Sequence, residues 1–277
     1  MEEAAQHRGT FRALHQSGCF VIPNPWDVGT VRALEELGFQ ALATTSAGFA
    51  FSRGLPDAPD AVGVDEVLGH IAEIVDAAHV PVTADFQSGY GPDPESVAAN
   101  VRRCVEVGVA GLSIEDAAGG GDLFELPEAV ERVRAARDAI DSAAEDVLLT
   151  ARAECFLVGH SEPLAESIRR LESYADAGAD VLYAPGVGER DDIRAIVESA
   201  RPKPVNVLMS ANTGLSVADL AHLGVRRVSV GSALARAAWG AFLRAAREIS
   251  RDGEFRGLEG AVTFAELNAL FEAPHSH

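Results

Sequence analysis

"EELGFQAL" (35–42), "VEVGVAGL" (105–112), "DAGADVLY" (176–183) and "AHLGVRRV" (221–228) are one sentence written four times. Each closes an amphipathic run and places a glycine where a helix wants a left-handed C-terminal residue. Each then opens a short apolar run suited to a buried strand. The repeated unit is βα. Working outward, the same pattern predicts strands over 20–23, 41–45, 80–85, 111–115, 147–151, 181–184, 205–209 and 227–230. Helical patterns cover 28–37, 65–78, 94–107, 127–140, 163–177, 190–200 and 217–223. Asp93-Pro94 supplies an N-cap and a first-turn proline, with Glu95 favourable to the helix dipole; Ser161-Glu162-Pro163 is expected to repeat the device.

Eight such units in about 230 residues fit an α/β fold of the (β/α)8 TIM-barrel type, whose site lies at the C-terminal ends of the strands. An open doubly wound sheet is the runner-up. It would normally carry a Gly-rich nucleotide loop, and "PNPWDVG" (23–29) is not G-x-G-x-x-G. No linker composition interrupts the chain, so residues 1–277 read as one domain: a barrel over about 10–240 and a helical extension over 241–277. In the tail, one helix runs past Trp239 to about Arg251 and another spans 263–271. Both exceed the barrel's needs and are expected to pack on a neighbour.

The charge balance is 23 Lys+Arg against 42 Asp+Glu, a net −19. That excess of acid argues against nucleic acid or an anionic membrane as partner, because both are polyanions. It leaves an anionic small molecule open, since one arginine or a metal can reverse the field at a site. Hydrophobic residues at 47% and charged residues at 23% exclude wholesale disorder. Cys19, Cys104 and Cys155 have no metal-like spacing and fit a reducing, cytoplasmic setting. The first ten residues hold acids and no apolar stretch, so no signal peptide is expected, and no run is long enough to span a bilayer. Lys203 is the chain's single lysine, which disfavours amine-based covalent chemistry.

A barrel would bring the strand ends together. The third strand ends in Thr83-Ala84-Asp85, the fourth in Ser113-Ile114-Glu115-Asp116, and the fifth continues into Ala151-Arg152-Ala153-Glu154. Carboxylates at three neighbouring strand ends repel unless a cation or an arginine holds them. An all-oxygen set without paired His or Cys points to a hard cation, Mg2+ or Mn2+. Taken singly, each acid reads more simply as a cap or a solvated loop residue. Arg152 is the fixed positive charge that would grip a carboxylate or phosphonate, or else pair internally with Glu154 or Glu115. Thr44-Thr45-Ser46-Ala47-Gly48 ends the second strand with small residues, forming a plain turn or a set of N–H groups open to an anion. Residues 49–63 read as a long loop.

At these residues the chain resembles the isocitrate lyase / phosphoenolpyruvate mutase family. The matching stretches are "TTSAGFAFSRGLPD" (44–57), "VTADFQSGYG" (82–91), "IED" (114–116), "ARAE" (151–154) and "AGADVLYAPG" (177–186), in the family's order and spacing. The resemblance implies an α/β barrel and Mg2+-dependent cleavage or formation of a C–C or P–C bond beside an α-oxo acid. It implies Asp85 as a direct metal ligand, with Glu115 acting on the metal partly through water. Arg152 becomes the substrate-carboxylate arginine, and Ser46, Ala47 and Gly48 the segment holding the oxo acid. Asp57 would lie near the reacting group, as in the phosphonate-processing members. The resemblance also implies a homotetramer that exchanges its last barrel helix between subunits, which would account for the long tail.

The departures narrow the activity. Where the isocitrate- and methylisocitrate-cleaving members carry Lys-Lys-Cys-Gly-His, this chain reads Ala117-Ala118-Gly119-Gly120-Gly121-Asp122-Leu123-Phe124. The thiol acid is missing, and so are the mutase's basic and amide gating residues. Gln87 replaces an aspartate, and Pro185 stands near where phosphonate members have a histidine. The leading expectation is a Mg2+-dependent lyase acting on a small α-oxo or 2-hydroxy carboxylate. The alternatives are a carboxyphosphonoenolpyruvate mutase-like P–C enzyme and a catalytically reduced oxo-acid binder. Asn206 on the seventh strand is a further candidate substrate donor, or a satisfied core amide. Trp26 is a pocket wall or a core aromatic, and Tyr90 a hydroxyl near the metal or a packing residue. Cys155 is read as a buried inert thiol and His160 as a loop residue, while His275 and His277 are given no role.

Overall fold

The computed structural model describes residues 2–58 and 61–272; His275 and His277 lie outside them. The order is α1 (Glu2–Leu14), β1 (Phe20–Ile22), α2 (Val28–Glu36), β2 (Leu42–Ala43), α3 (Ser46–Ser52), α4 (Val64–Ala77), β3 (Val82–Asp85) and α5 (Pro94–Glu106). Then come β4 (Gly111–Glu115), a hairpin of β5 (Ala117–Gly119) and β6 (Asp122–Leu123), α6 (Leu126–Ser142), β7 (Leu148–Arg152) and α7 (Pro163–Asp176). The chain finishes with β8 (Val181–Tyr183), α8 (Arg190–Ala200), β9 (Val205–Leu208), α9 (Val217–His222), β10 (Arg227–Ser229), α10 (Ala233–Asp252) and α11 (Phe264–Glu272).

Leaving the hairpin aside, eight parallel strands pair in sequence order, with β10 beside β1. Between β1 and β2 the ring is bridged by the Ala43 N–H donating to the Pro23 carbonyl at 3.0 Å. The expected (β/α)8 barrel is the observed one. The four helix–Gly–strand junctions explain its regularity: Gly38, Gly108, Gly178 and Gly224 all adopt φ between 83° and 102°, the left-handed turn that a Cβ would disfavour. Apolar faces of the helices pack on the outer face of the sheet, in one core running from Val67 and Ile71 around to Leu220 and Val228.

Three elements had no counterpart in the sequence reading. Helix α1 is weakly apolar, yet Phe11 enters a cluster with Phe20, Ile22 and Leu148 that closes the N-terminal end of the barrel. Arg8 ties α1 down by donating to the Val109 carbonyl and pairing with Glu145. Second, the long loop expected over 49–63 begins as helix: α3 already runs from Ser46 to Ser52, capped by Thr45 Oγ1, which accepts the Gly48 N–H at 3.1 Å. Third, residues 117–123 form an antiparallel hairpin instead of a plain loop. One cap also differs. Asp93 caps α5 as expected, but α7 starts from Glu162 with no side-chain cap bond, so only the proline half of that device is used. No helix among the described residues is long and apolar enough to cross a membrane.

Two histidines are buried in the frame. His15 Nδ1–H donates to the Phe11 carbonyl at 2.8 Å, and His70 stacks flat on Phe49 at 3.8 Å with no partner for its Nε2. Burial holds the pKa of His15 down to about 3 and that of His70 down to about 4. The unfolded chain takes up these protons near pH 6.5 and the folded chain does not. Each histidine therefore contributes a loss of stability as pH drops below about 6.5, approaching about 1.4 kcal/mol per pH unit. Buried acids with raised pKa values act in the opposite direction, so the contribution is read as a difference: in urea denaturation between about pH 7 and 5, His70→Gln should lose less stability on acidification than the wild type.

Candidate active site

Parallel registry sets the site. Asp85 pairs with Ser113, Glu115 with Arg152, and Arg152 with Tyr183, so four neighbouring strands end together on one side of the barrel. Arg152 is the hub. Its Nη1 donates to Asp85 Oδ1 at 2.8 Å, its Nη2 meets Glu115 Oε2 at 3.1 Å, and its Nε donates to Glu154 Oε1 at 2.8 Å. The face of Tyr183 lies 5.3 Å from the same guanidinium, within reach of a cation–π contact.

Asp85 is held from its other side by Ser46, whose N–H and Oγ both donate to Oδ2, at 2.9 and 2.8 Å. The backbone N–H of Asp85 donates to Thr44 Oγ1 at 2.9 Å. The segment expected to offer N–H groups to an anion thus spends those of Ser46 on the protein's own carboxylate. After β3, Gln87 takes φ +43°, and its carbonyl accepts the Glu115 N–H at 2.9 Å. A residue with a Cβ held in this region is strained, and here that geometry joins the β3 loop to the end of β4.

A cavity of about 200 Å³ opens beside these residues. Its wall includes Ser46, Ala47, Asp57, Asp85, Arg152, Tyr183 and Asn206. Gly48 is not part of that wall, and its N–H is committed to Thr45. Glu115 reaches the site through Arg152. Asn206 is satisfied within the barrel, donating to Ser229 Oγ at 2.9 Å and accepting from Arg227 Nε at 2.9 Å. Trp26 lies elsewhere, lining a separate hollow together with Trp239 and Phe242. Tyr90 packs edge-on to Phe86. Cys155 is fully buried with its thiol pushed up by burial, and Lys203 lies in a separate hollow with Arg12 and His15.

The electrostatics are one-sided. Burial pushes Glu115 up to about 8, reinforced by Glu154, Asp85 and Asp57 and opposed by Arg152. Asp57 is pushed up by burial and then by Asp85, and Glu154 by burial. Acid charge at this end of the cavity exceeds what Arg152 neutralises. Among the described residues no three His, Cys, Asp or Glu side chains are arranged around one point as ligands; Arg152 stands between the acids. An all-oxygen donor set with surplus negative charge fits a hard divalent cation, which commonly takes one or two carboxylates and fills its shell with water and substrate.

Asp116 is a site residue that the sequence reading carried only within a motif. It is 2% exposed. Its Oδ1 accepts the Glu154 N–H at 2.8 Å, while Oδ2 accepts Arg170 Nη1 at 3.0 Å and the Tyr174 hydroxyl at 2.6 Å. It fixes the backbone that presents Glu154. Arg170 and Tyr174 sit four apart on α7, a spacing that marked a helix face but not its target.

With this geometry in view, comparison with known proteins is decisive. Residues 11–250 match the family model described as phosphoenolpyruvate phosphomutase. The chain belongs to the phosphoenolpyruvate mutase / isocitrate lyase family. It is 30% identical to 2-methylisocitrate lyase of Escherichia coli (strain K12) over 89% of this chain and 86% of that one. It is 33% identical to oxaloacetate decarboxylase of Pseudomonas entomophila (strain L48), over 84% and 82%. A crystal structure from Burkholderia cenocepacia J2315, described as a lyase/mutase, superposes with a TM-score of 0.93 at 49% identity, covering 99% of this chain and 98% of that one. The family match therefore spans the barrel.

Asp116→Asn should leave Arg170 with Glu166 as its remaining carboxylate partner, weaken the charge-assisted bonds to Arg170 and Tyr174, and lower stability by about 2 kcal/mol. Urea denaturation at neutral pH measures this.

Proposed function

We propose that this chain is a divalent-metal-dependent lyase that cleaves the carbon–carbon bond beside the oxo or hydroxyl carbon of a small carboxylate. The observation that carries the reading is the convergence of Asp85, Glu115 and Glu154 on Arg152, with Asp85 and Arg152 on the wall of the cavity. Relatives named for splitting methylisocitrate and decarboxylating oxaloacetate point to the same substrate class.

In this reading Asp85 and Glu115 hold Mg2+, or Mn2+ in its place. The bound cation would supply Lewis-acid stabilisation of the negative charge that grows on the oxo oxygen as the bond breaks. Ser46 keeps Asp85 in one orientation, so the carboxylate need not reorganise when it is used. Arg152 binds the substrate carboxylate through a planar fork that a lysine could not offer. Asp57, a carboxyl group on the cavity wall, is the group assigned to pass a proton to the departing carbon. Asn206 and Ala47 border the substrate.

A second reading, an oxo-acid binder with reduced catalysis, is favoured by one feature. The hairpin 117–123, which occupies the place of the Lys-Lys-Cys-Gly-His loop, contributes nothing to the cavity wall. Titration calorimetry with pyruvate and oxaloacetate, with and without Mg2+, should show metal-dependent binding that Asp85→Ala abolishes. Binding that ignores both Mg2+ and Asp85 would remove both readings. Turnover of oxaloacetate or a 2-hydroxy dicarboxylate, lost in Asp57→Asn with binding retained, separates lyase from binder.

The same reading extends to assembly. Phe242, Phe255, Phe264 and Leu267 on the C-terminal segment are exposed, which fits an oligomer, a homotetramer in the family's pattern, that covers them. Analytical ultracentrifugation should give a mass several times 29.1 kDa, and Phe242→Glu should shift it toward the monomer.

A further inference from the structure

Beneath Arg152 the barrel interior is polar, where a (β/α)8 core is ordinarily filled with branched apolar side chains. Arg227 opens β10 and lines the floor of the cavity together with Thr83, Asn206 and Ser229. It is 4% exposed, and each of its hydrogen bonds goes to a neutral group. Nε donates to Asn206 Oδ1 at 2.9 Å, Nη2 to Thr150 Oγ1 at 3.1 Å, and Nη1 faces His15 Nε2 at 3.4 Å. His15 is a neutral acceptor there, because its Nδ1 carries the proton donated to the Phe11 carbonyl.

The contrast with the other buried arginines is sharp. Arg8 pairs with Glu145, Arg132 with Glu128, and Arg170 with Asp116 and Glu166. Among the described residues Arg227 has no carboxylate partner. A guanidinium has five N–H groups, so two of those on Arg227 remain unspent beside the cavity. Burying a cation without a counter-charge costs several kcal/mol, and a ligand that brings the missing charge recovers it.

Position supports an anion there. Thr150 and Arg152 are alternate residues of β7 and share the inner face, about 6.6 Å apart along the strand. Arg227, bonded to Thr150, therefore sits one layer below the Arg152 cluster. One cavity reaches both layers, and the small side chains Ala43 and Ser113 are part of its wall.

We propose that Arg227 forms a second anion subsite at the floor of the cavity, taking the far carboxylate of a short dicarboxylic oxo acid. The oxo end of that acid lies at Asp85, Glu115 and Arg152, so the inference rests on the oxo-acid reading above. The site then selects dianionic over monoanionic substrates.

The test measures dissociation constants with Mg2+ present for two pairs of equal chain length: oxaloacetate against 2-oxobutyrate, and 2-oxoglutarate against 2-oxopentanoate. Within each pair only the terminal group differs, carboxylate or methyl. The wild type should prefer the dicarboxylate of at least one pair by about 30-fold, the scale of one buried charge-assisted contact. Arg227→Gln should reduce that preference to about threefold or less while the monocarboxylate binds as before, and Arg227→Lys should keep part of it. A wild type without preference overturns the subsite. So does a preference that survives Arg227→Gln, or an equal loss for both acids of a pair, which would make Arg227 a structural tie alone. In those cases the monocarboxylates still bind and the oxo-acid reading stands; if none of the four binds the wild type, both fall. Should Arg227→Gln fail to fold, the wild-type ratio and Arg227→Lys decide.

Discussion

Everything at the open end of this barrel depends on one guanidinium shared among three carboxylates. Arg152 engages Asp85, Glu115 and Glu154 through Nη1, Nη2 and Nε, one acid per nitrogen. In a half-buried setting these acids would drive one another apart, because the interior screens charge poorly. The arginine makes their convergence tolerable without cancelling it. Three acids face one arginine there, and acidic oxygen donors in excess are what a hard cation requires.

That hub is held from several sides, in part by groups outside the cavity. Asp116 collects Arg170, Tyr174 and the Glu154 N–H, so α7 braces the loop leaving β7. Ser46 and Thr44 brace Asp85 from the end of β2, and the left-handed Gln87 joins the β3 loop to β4. Each brace crosses from one βα unit to the next. The site is rigid because the barrel is closed: a displacement of any strand end would have to break bonds to both neighbours.

The cavity carries opposite imbalances on its two levels. At the mouth, acids outnumber the arginine that links them; at the floor, Arg227 lies among neutral acceptors. A ligand combining a bound cation at one end with a carboxylate at the other relieves both. Neither imbalance stabilises the folded chain, since unpaired buried charge costs free energy. Polar residues also replace the apolar packing that a barrel floor would otherwise provide, and the apolar plug of Phe11, Phe20 and Leu148 closes the end beneath them.

The sequence by itself determined the barrel and the neighbourhood of its site. Period, glycine placement and strand-terminal acids are local signals, and the parallel βα repeat leaves few topologies that could use them. Asp85, Glu115 and Arg152 were legible because each ends a strand. Only the tertiary structure decided who meets whom. Ser46 donates to a carboxylate 39 positions away, Asp116 is met by a helix face whose spacing disclosed no target, and helix α1, with little amphipathic pattern, is held by contacts with distant strands. Arg227 sits in "GVRRV" looking like any basic residue after a helix; that it pairs with no carboxylate among the described residues is a property of closure, visible only once β10 lies between β9 and β1. Local pattern fixes which elements form, because propensity acts over a few residues. The balance of buried charge is set by distances across the barrel, and no short stretch of chain contains them.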